Sequence, residues 1–288
     1  MLASSRIATH LLRGLTLVFL AAFLSACSTQ SALQSVAPLP SEKYAAIVVD
    51  GTTGAVLYER HSRDLRYPAS LTKMMTLYML FEALDSGRIA PDAQLPVTAY
   101  AASKPPSRLG LRAGQHIDVR TAILALCVRS ANDVAAVVAE YLGDTEPRFA
   151  EMMTAKARQL GMTSTTFANA SGLPDAAQRT SARDMAVLSM ALRKRFPHHY
   201  HYFSNRQFAH GGKVIRGHND LLGRVDGVDG LKTGFIRASG FNLATSAQRG
   251  GRRIVAVVMG GETARARNAH MEELIETYLP KASVAASH

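Results

Sequence analysis

The chain has only two cysteines among its 288 residues, Cys27 and Cys127. It also lacks any block of lysines and arginines and any helical stretch with basic residues along one face, although its formal net charge is +11. A nucleic-acid interface normally carries such a basic patch. We therefore expect no nucleic-acid partner, and the basic balance fits either a solvated surface or attraction to an anionic polymer.

The apolar run at the start of the chain is too short to span a membrane. Leu15–Phe23 falls well below the roughly 20 residues that a spanning helix needs. Arg6 and Arg13 precede this run, and the small residues of Leu24-Ser25-Ala26 follow it. A basic start, a short apolar centre and a small-residue cleavage point are typical of an export signal. Residues 1–26 are therefore predicted to be a signal peptide.

Cys27 follows directly after these small residues. Leu24–Cys27 resembles the cleavage box of bacterial lipoproteins, in which that cysteine receives the lipid; the alternative is an ordinary export signal followed by a cysteine. We favour the lipoprotein interpretation, which predicts a periplasmic protein anchored to a bacterial membrane through Cys27. Residues 27–42 then form a lipid-anchored tether rich in Ser, Ala, Pro and Gln. Residues 43–282 form the folded domain, and residues 283–288 form a tail.

Cys127 lies on an apolar helical stretch between Leu124 and Val128. If Cys27 is acylated, no disulfide can form within the chain. The apolar neighbours of Cys127 would not lower the pKa of a thiol, as a catalytic cysteine requires. Cys127 is therefore predicted to be a packing residue.

Strand patterns occupy both ends of the chain, and helical patterns occupy its middle. The predicted strands are Tyr44–Val49, Ala55–Glu59, Gly230–Phe235, Phe241–Gln248 and Ile254–Met259. The predicted helices are Leu71–Asp85, Val119–Cys127, Val134–Leu142, Arg148–Leu160, Thr180–Lys194 and Ala266–Tyr278. The economical arrangement is an α+β fold. It has an antiparallel sheet built from both chain ends and flanked by helices, with an inserted all-helical subdomain.

Three short motifs carry residues suited to acyl transfer: Ser70-Leu71-Thr72-Lys73, Ser130-Ala131-Asn132 and Lys232-Thr233-Gly234. No other serine in the chain has a lysine three positions on. Since residues three apart on a helix face the same way, Lys73 should reach the Ser70 hydroxyl. A serine becomes a good nucleophile when a base removes its proton, and a lysine can be that base where its charge is disfavoured.

The other two motifs supply the remaining groups that acyl transfer needs. Ser130 could relay a proton between Lys73 and a leaving amine, while the Asn132 amide orients a substrate amide. In the third motif, the cation and the hydroxyl could hold a carboxylate, and Gly234 removes a side chain where substrate must approach. Each motif alone also fits a purely structural role as a helix cap, a helix break or a strand end.

Further segments extend this pattern: Ser171-Gly172-Leu173-Pro174, Ser181–Met185, Gly227–Leu231 and Val257–Gly261. With the three motifs, they resemble serine DD-peptidases, the low-molecular-mass penicillin-binding proteins, which share a fold with serine β-lactamases. The likeness runs from about Tyr44 to Leu279, and the chain is most similar to the D-alanyl-D-alanine carboxypeptidase branch. Residues 43–282 are thus expected to be a DD-peptidase catalytic domain.

The resemblance implies a role for each matched residue. Ser70 would form the acyl-enzyme, Lys73 would be the base, Ser130 the relay and Asn132 a substrate binder. The third motif would lie near the substrate carboxylate, with backbone N–H groups of Ser70 and Phe235 as the oxyanion hole. Arg267 matches an arginine that in some members holds the terminal carboxylate; the alternative is a solvated arginine at a helix start.

The resemblance also implies peptidoglycan stem peptides as substrates and β-lactam antibiotics as inhibitors. From the residues we expect no cofactor and no metal. Many such carboxypeptidases continue into a β-rich C-terminal domain. Because this sequence stops at His288, anchoring is expected from its N-terminal side, and a DD-endopeptidase that cuts peptide cross-links remains an alternative. Ile236 stands where a small hydroxyl residue is common, which leaves the substrate preference open.

Two rival functions are less well supported by the residues. A class A β-lactamase uses a glutamate on a loop between the second and third motifs, and Phe167–Arg179 contains none. A catalytically idle protein that binds wall fragments or β-lactams would be expected to have a damaged motif, and all three are intact.

Three histidines, His198, His199 and His201, lie close together in the sequence. No carboxylate or cysteine stands near them in the sequence to complete a ligand set, and their spacing fits no known zinc motif. They are predicted to be surface histidines rather than a metal site.

Overall fold

The computed structural model describes residues 36–285. The predicted signal peptide, Cys27 and the first part of the predicted tether lie outside the described residues, as do residues 286–288 of the tail. In the part of the chain that is described, no helix has the length and apolar character needed to cross a membrane.

Residues 36–285 contain nine strands and seven α-helices. The strands are β1 (Ala45–Asp50), β2 (Val56–Arg60), β3 (Gln94–Pro96), β4 (His116–Asp118), β5 (Gln207–His210), β6 (Lys213–Arg216), β7 (Val228–Ile236), β8 (Gly240–Arg249) and β9 (Arg252–Gly261). The helices are α1 (Lys73–Asp85), α2 (Ala99–Ala102), α3 (Val119–Leu124), α4 (Asn132–Gly143), α5 (Glu146–Gln159), α6 (Ala182–Arg195) and α7 (Ala264–Tyr278). Shorter helical turns cover Ala69–Thr72, Ala125–Arg129, Tyr200–Ser204 and Leu279–Lys281.

One five-stranded antiparallel sheet joins the two ends of the domain. Its strand order is β2-β1-β9-β8-β7, so β7 is an edge strand. β1 pairs with β9 from Ala45 opposite Met259 to Asp50 opposite Ile254. The prediction of an α+β fold with a sheet from both ends is thereby confirmed.

Both faces of this sheet are buried. Successive side chains of a strand point to opposite faces, so neighbouring residues of one strand pack into different cores. Ile47 of β1 and Val257 of β9 belong to a core shared with α1 and the helices that follow it. Val48 and Val258 belong to a second core, under Met271 and its neighbours on α7. The helices of the middle of the chain therefore lie on one face and the last helix lies on the other.

Side-chain caps define where several helices begin. The Ser181 hydroxyl accepts the backbone N–H of Asp184 at 3.1 Å at the start of α6. The Thr263 hydroxyl accepts the N–H of Ala266 at 3.0 Å at the start of α7. These bonds satisfy N–H groups that have no partner within a helix, and they fix the helix boundaries within a few residues of the predicted ones.

Two small hairpins and one short helix were missed by the sequence analysis: β3–β4, β5–β6 and α2. Each strand of these hairpins has only three or four residues, too few for an alternating pattern to stand out. Helix α2 is a single turn capped by Thr98.

Some residues of the predicted tether and tail pack against the domain. Val36 is buried in the second core, and its carbonyl accepts the Tyr58 hydroxyl at 3.2 Å. The Ser283 N–H donates to the Asp50 carboxylate at 2.7 Å, and Val284 forms a bridge with Arg252. The boundaries at residues 43 and 282 remain predictions.

Candidate active site

Ser70 lies in the helical turn Ala69–Thr72, directly before α1, and Lys73 is the first residue of α1. The Lys73 Nζ atom lies 3.2 Å from the Ser70 Oγ atom. The two side chains therefore meet as the three-residue spacing predicts, although Ser70 sits one turn ahead of the α-helix proper.

Lys73 is fully buried and has three oxygen neighbours. Besides Ser70 Oγ, its Nζ atom donates to Asn132 Oδ1 at 2.8 Å and to the Ser171 carbonyl at 2.5 Å. Within residues 36–285, no carboxylate lies within 4.0 Å of it. Burial, reinforced by the positive charge of Lys232, holds the pKa of Lys73 well below its usual value. A lysine of this kind can accept the Ser70 proton.

A loop from Asn169 to Gly172 forms one wall beside Ser70. The Asn169 side-chain oxygen accepts the N–H groups of Ser171 at 3.2 Å and Gly172 at 2.8 Å. Gly172 has φ +83°, and a Cβ atom there would lie 1.8 Å from the Ala69 carbonyl oxygen. Glycine is therefore required for the loop to approach the serine-bearing turn this closely.

The second motif joins the turn after α3 to helix α4. Ser130 has φ 60°, a left-handed conformation that ends the preceding helical turn. Asn132 is the first residue of α4; its Oδ1 atom accepts from Lys73 and its Nδ2 atom donates to the Pro105 carbonyl at 3.0 Å. The Ser130 Oγ atom is buried and has no hydrogen-bond partner in the described part of the chain. The structure thus joins Asn132 directly to Lys73, but it does not join Ser130 to either.

The third motif lies on β7, the strand at the edge of the sheet. A Cβ atom on Gly234 would lie 3.0 Å from the Ser70 backbone nitrogen and 3.2 Å from that of Leu71. Real Cβ atoms rarely have such close contacts, so the absence of a side chain lets β7 lie against the serine-bearing turn.

Lys232 is the second buried lysine of the site. Its Nζ atom donates to the Thr233 carbonyl at 2.9 Å, and within residues 36–285 no carboxylate forms an ion pair with it. Burial, with a smaller contribution from the charge of Arg267, lowers the pKa of Lys232 to about 8. At neutral pH the lysine is still largely a cation, which suits a carboxylate ligand.

A cavity of about 520 Å³ brings the motifs together. Most of the predicted catalytic and substrate-binding residues line this cavity, together with residues next to them on the loop and on β7. These lining residues are Ser70, Ser130, Asn132, Gly172, Leu173, Thr233, Gly234, Phe235, Ile236 and Arg267. Lys73 and Lys232 are buried in its walls rather than lining it. The predicted site residues are therefore gathered in one place, and a cavity of this size can hold a small peptide end or a drug-sized ligand.

Comparison with known proteins decides the family. The profile of the family described as D-alanyl-D-alanine carboxypeptidase matches residues 33–263. The chain belongs to this family of D-alanyl-D-alanine carboxypeptidases. D-alanyl-D-alanine carboxypeptidase DacD of Salmonella typhimurium is 36% identical over 272 residues, which cover 90% of this chain and 70% of the relative.

Solved structures of carboxypeptidases and penicillin-binding proteins share the fold. The D-alanyl-D-alanine carboxypeptidase DacD from Francisella tularensis is similar with a TM-score of 0.81 and 27% identity, over 85% of this chain and 71% of the other. Penicillin-binding protein D2 from Listeria monocytogenes, in its cefotaxime-bound form, has a TM-score of 0.74 and 32% identity, over 81% and 95% of the chains.

Arg267 of this carboxypeptidase family member is buried, and it lines the cavity. Its guanidinium donates to the Asn242 carbonyl at 2.9 Å and to the Asn268 side-chain oxygen at 2.7 Å. Burial lowers the pKa of Arg267 to about 10, against the raising effect of Asp220. The alternative of a solvated arginine at the start of a helix is therefore wrong, because the side chain points into the protein.

Two ionisable residues of the cavity were not predicted from the sequence, His218 and Asp220. Burial and the charge of Lys232 lower the pKa of His218. The Asp220 carboxylate accepts a hydrogen bond from Asn268 at 3.1 Å. Both lie between the short hairpin β5–β6 and β7, in a stretch without a periodic pattern, so nothing in the sequence marked them.

Two buried carboxylates, Asp133 and Glu146, bind backbone N–H groups of loops that adjoin the site. Asp133 accepts the backbone N–H groups of Leu109 at 2.9 Å and Gly110 at 2.8 Å, and so holds the loop between α2 and β4. Glu146 accepts the Ala170 N–H at 3.0 Å and forms an ion pair with Lys104 at 2.6 Å. Both were outside the predicted site because neither belongs to one of the three motifs.

The expectation for the histidines needs one correction. The sequence analysis found no carboxylate near His198 and His199, but the structure places Asp85 beside both. The Asp85 Oδ1 atom lies 2.9 Å from the Nε2 atom of each ring. The sequence could not show this contact, because Asp85 ends α1 more than a hundred residues earlier. His201 instead contacts the His198 carbonyl, at 2.8 Å.

Cys127 is partly buried against the first core, as predicted for a packing residue. Burial raises the pKa of its thiol to about 12, against the lowering effect of Lys232. A thiol of this kind is not a thiolate at neutral pH and is a poor nucleophile.

Proposed function

We propose that this protein is an exported serine DD-carboxypeptidase that removes the terminal D-alanine from peptidoglycan stem peptides through an acyl-enzyme on Ser70. The observation that carries the proposal is the fully buried Lys73, which lies 3.2 Å from the Ser70 hydroxyl with no carboxylate in contact. Only a lysine with a depressed pKa can serve as a base at neutral pH.

In the proposed acylation step, Lys73 takes the Ser70 proton while Ser70 Oγ attacks the carbonyl carbon of the last peptide bond. The C–N bond then breaks, and the nitrogen of the leaving D-alanine takes a proton through Ser130, which leaves an ester on Ser70. The unpaired Ser130 hydroxyl supports this role, because it is free to bond with bound substrate. Water then hydrolyses the ester and restores the serine.

The backbone N–H groups of Ser70 and Phe235 are proposed to form the oxyanion hole. The close approach of Gly234 to the Ser70 nitrogen supports this, because it places the strand end beside the serine-bearing turn. Two donors fixed in this way act on the charge that develops on the carbonyl oxygen, and losing one typically costs about 10²–10³ in rate.

Lys232, Thr233 and Arg267 are proposed to bind the terminal carboxylate of the substrate, and Asn132 to bind its amide. Lys232 and Arg267 are buried cations, and neither has an ion-pair partner in residues 36–285. A buried charge without a partner is costly, and a bound carboxylate would offset that cost.

β-Lactam antibiotics are proposed to acylate Ser70 and to remain bound as esters. The similarity to a penicillin-binding protein solved with cefotaxime supports the acylation. The loop Phe167–Arg179 has no glutamate that could activate a water against the ester in the manner of a class A β-lactamase.

The decisive experiment follows D-alanine release from a stem pentapeptide and the intact mass of the protein after excess benzylpenicillin. The proposal predicts release of D-alanine and a persistent adduct of one equivalent, both abolished by Ser70→Ala. Ser103→Ala is a matched control, because its hydroxyl is exposed and donates only to the Tyr100 carbonyl.

Three other results would contradict the proposal. Activity that survives in Ser70→Ala would exclude the mechanism. Rapid loss of the drug without an adduct would indicate a β-lactamase. Cleavage of cross-linked peptide dimers in preference to the pentapeptide would indicate a DD-endopeptidase.

Anchoring through a lipid on Cys27 is proposed separately, from the small residues before it. Cys27→Ala should move the protein from the membrane fraction to the soluble periplasmic fraction of a bacterial host. An unchanged distribution on fractionation would contradict lipidation, while Cys127→Ala should leave the distribution unchanged as a control.

A further inference from the structure

A cluster of potential metal ligands lies outside the active site, and we call it the Asp85–histidine cluster: Asp85, His198 and His199. Asp85 is the last residue of α1, and the two histidines follow α6. The two Nε2 atoms and the Asp85 oxygen all lie within 4.8 Å of one another. Three atoms so close can bind one cation at the distances that protein ligands use.

The Asp85 carboxylate forms no ion pair with a lysine or arginine of residues 36–285. In residues 36–285, the side-chain contacts of Asp85 are with the rings of His198 and His199, and no lysine or arginine nitrogen lies within 4.0 Å of its carboxylate. By contrast, Glu82, one turn earlier on α1, pairs with both Lys156 and Arg195. Asp85 therefore keeps its charge available for a cation.

The rings are also held in place before any ligand binds. His199 stacks on Phe81 with ring centroids 4.8 Å apart and an angle of 16°. The His198 and His199 centroids are 4.2 Å apart, and both Nε2 atoms point at the same carboxylate oxygen. Ligands that are already oriented lose less entropy on binding.

We propose that the Asp85–histidine cluster is a binding site for Zn²⁺. Two imidazole nitrogens and one carboxylate oxygen are a ligand set that suits zinc, and a three-ligand site normally adds water as the fourth ligand. A cavity of about 220 Å³ beside the cluster has room for that water. On binding, each neutral ring carries its proton on Nδ1, and the metal takes the Nε2 lone pair.

Arg120 also lines this cavity, and its positive charge opposes cation binding. His198 is more than half exposed, so one ligand competes with water. Both features favour affinity in the micromolar range rather than the very tight binding of closed structural zinc sites.

A bound zinc ion would connect two parts of the domain. Asp85 lies at the end of α1, the helix that starts with Lys73. His198 and His199 lie in the segment that leads into the turn Tyr200–Ser204. The site would therefore stabilise the packing of the catalytic helix without contacting the reacting atoms. A ligand that binds only the folded state at 100 times its Kd raises the Tm of a domain of this size by about 5–10 °C.

The test is titration of the untagged protein, prepared free of metal, with Zn²⁺ by calorimetry, together with melting curves with and without Zn²⁺. Co²⁺ substitution gives a second readout, because a site with nitrogen ligands and low coordination shows visible absorption bands. We expect one equivalent of Zn²⁺ to bind, and His198→Ala and Asp85→Asn each to weaken binding by about 100-fold or more, since even outer partners of metal ligands contribute 10–100-fold.

His201→Ala is the matched control, because this ring belongs to the same segment but contacts the His198 carbonyl rather than Asp85. It should keep both the affinity for Zn²⁺ and the rise in Tm. His198→Ala should still be acylated by benzylpenicillin, which shows that the variant is folded.

Three results would overturn the proposal. They are no saturable binding of Zn²⁺ at sub-millimolar concentration, binding that survives Asp85→Asn or His198→Ala, and an equal loss of binding in His201→Ala. The last result would indicate a loose histidine cluster instead of a defined site. None of these measurements depends on whether the protein releases D-alanine.

Discussion

Two lysines in neighbouring regions of the domain, Lys73 fully buried and Lys104 partly buried, have opposite electrostatic surroundings. Lys104, beside α2, lies 2.6 Å from the Glu146 carboxylate and over the Tyr100 ring. Burial lowers the pKa of Lys104, but its contacts with Glu146 and Tyr100 outweigh that effect and raise the pKa above the usual value. Lys73 contacts only uncharged oxygens, and its pKa falls well below the usual value.

The difference shows that the charged partners of a lysine, and not only its burial, decide whether it can act as a base. Glu146 touches Lys104 but acts on Lys73 only over a longer distance, where it raises the pKa weakly against burial and the charge of Lys232. A single carboxylate therefore fixes one lysine as a structural cation and leaves the other able to lose its proton.

Of the three substitutions, replacing Lys73, the proposed base, should have the largest effect on the rate of acylation. Lys73→Arg keeps the positive charge but removes the neutral form, because a guanidinium does not lose its proton in a protein. We expect acylation by benzylpenicillin to slow by about 10²–10⁴, the usual contribution of a general base. Stopped-flow measurement of acylation gives the rate, and Lys104→Arg should change it little. Equal losses in both variants would contradict the distinction between the two lysines.

Removing the second cation of the site should have a smaller effect. Lys232→Ala deletes a charged group proposed to bond the substrate carboxylate, and such bonds contribute about 1.5–3 kcal/mol, or roughly 10–100-fold in kcat/KM. A substrate whose terminal carboxylate is replaced by an amide should lose much less on the same mutation. If both substrates lose activity equally, Lys232 acts on the fold or on Lys73 and does not bind the carboxylate.

The smallest effect is expected from Glu146→Gln. Since the Glu146 charge raises the pKa of Lys73, its removal should lower that pKa further. If Lys73 is the base, acylation requires its neutral form, so the acid limb of the pH–rate profile for acylation should move to lower pH. Benzylpenicillin acylation measured across the acid range tests this, with melting curves to confirm the fold. An acid limb that moves to higher pH would contradict the assignment of Lys73 as the base.

Much of the active site was predictable because most of its polar residues fall within short sequence motifs. The three-residue spacing of Ser70 and Lys73 predicted that their side chains meet, and the strand pattern Gly230–Phe235 placed Lys232 on a strand. Strand patterns at both chain ends were enough to predict the sheet, because residues buried on a face repeat with a period that the sequence displays.

The rest depended on contacts between distant residues. Asp85 meets His198 and His199 only because α1 and the segment after α6 pack side by side. Likewise, the sequence left Arg267 open between a carboxylate ligand and a solvated arginine at a helix start. In the structure it bonds the Asn242 carbonyl on a different element. The spacing of residues along one segment carries no information about contacts between distant segments, so the sequence alone could not reveal these contacts.

The pairing of β1 with β9 also constrains the order in which the protein can fold. Helical contacts form between residues close in sequence, whereas Ala45 finds Met259 only after almost the whole domain is available. Lys232 lies on β7, whose place in the sheet depends on β8 and β9. During synthesis, the serine-bearing turn therefore emerges long before the strand that completes its site. The enzyme is expected to become active in a late, concerted step instead of gaining activity gradually.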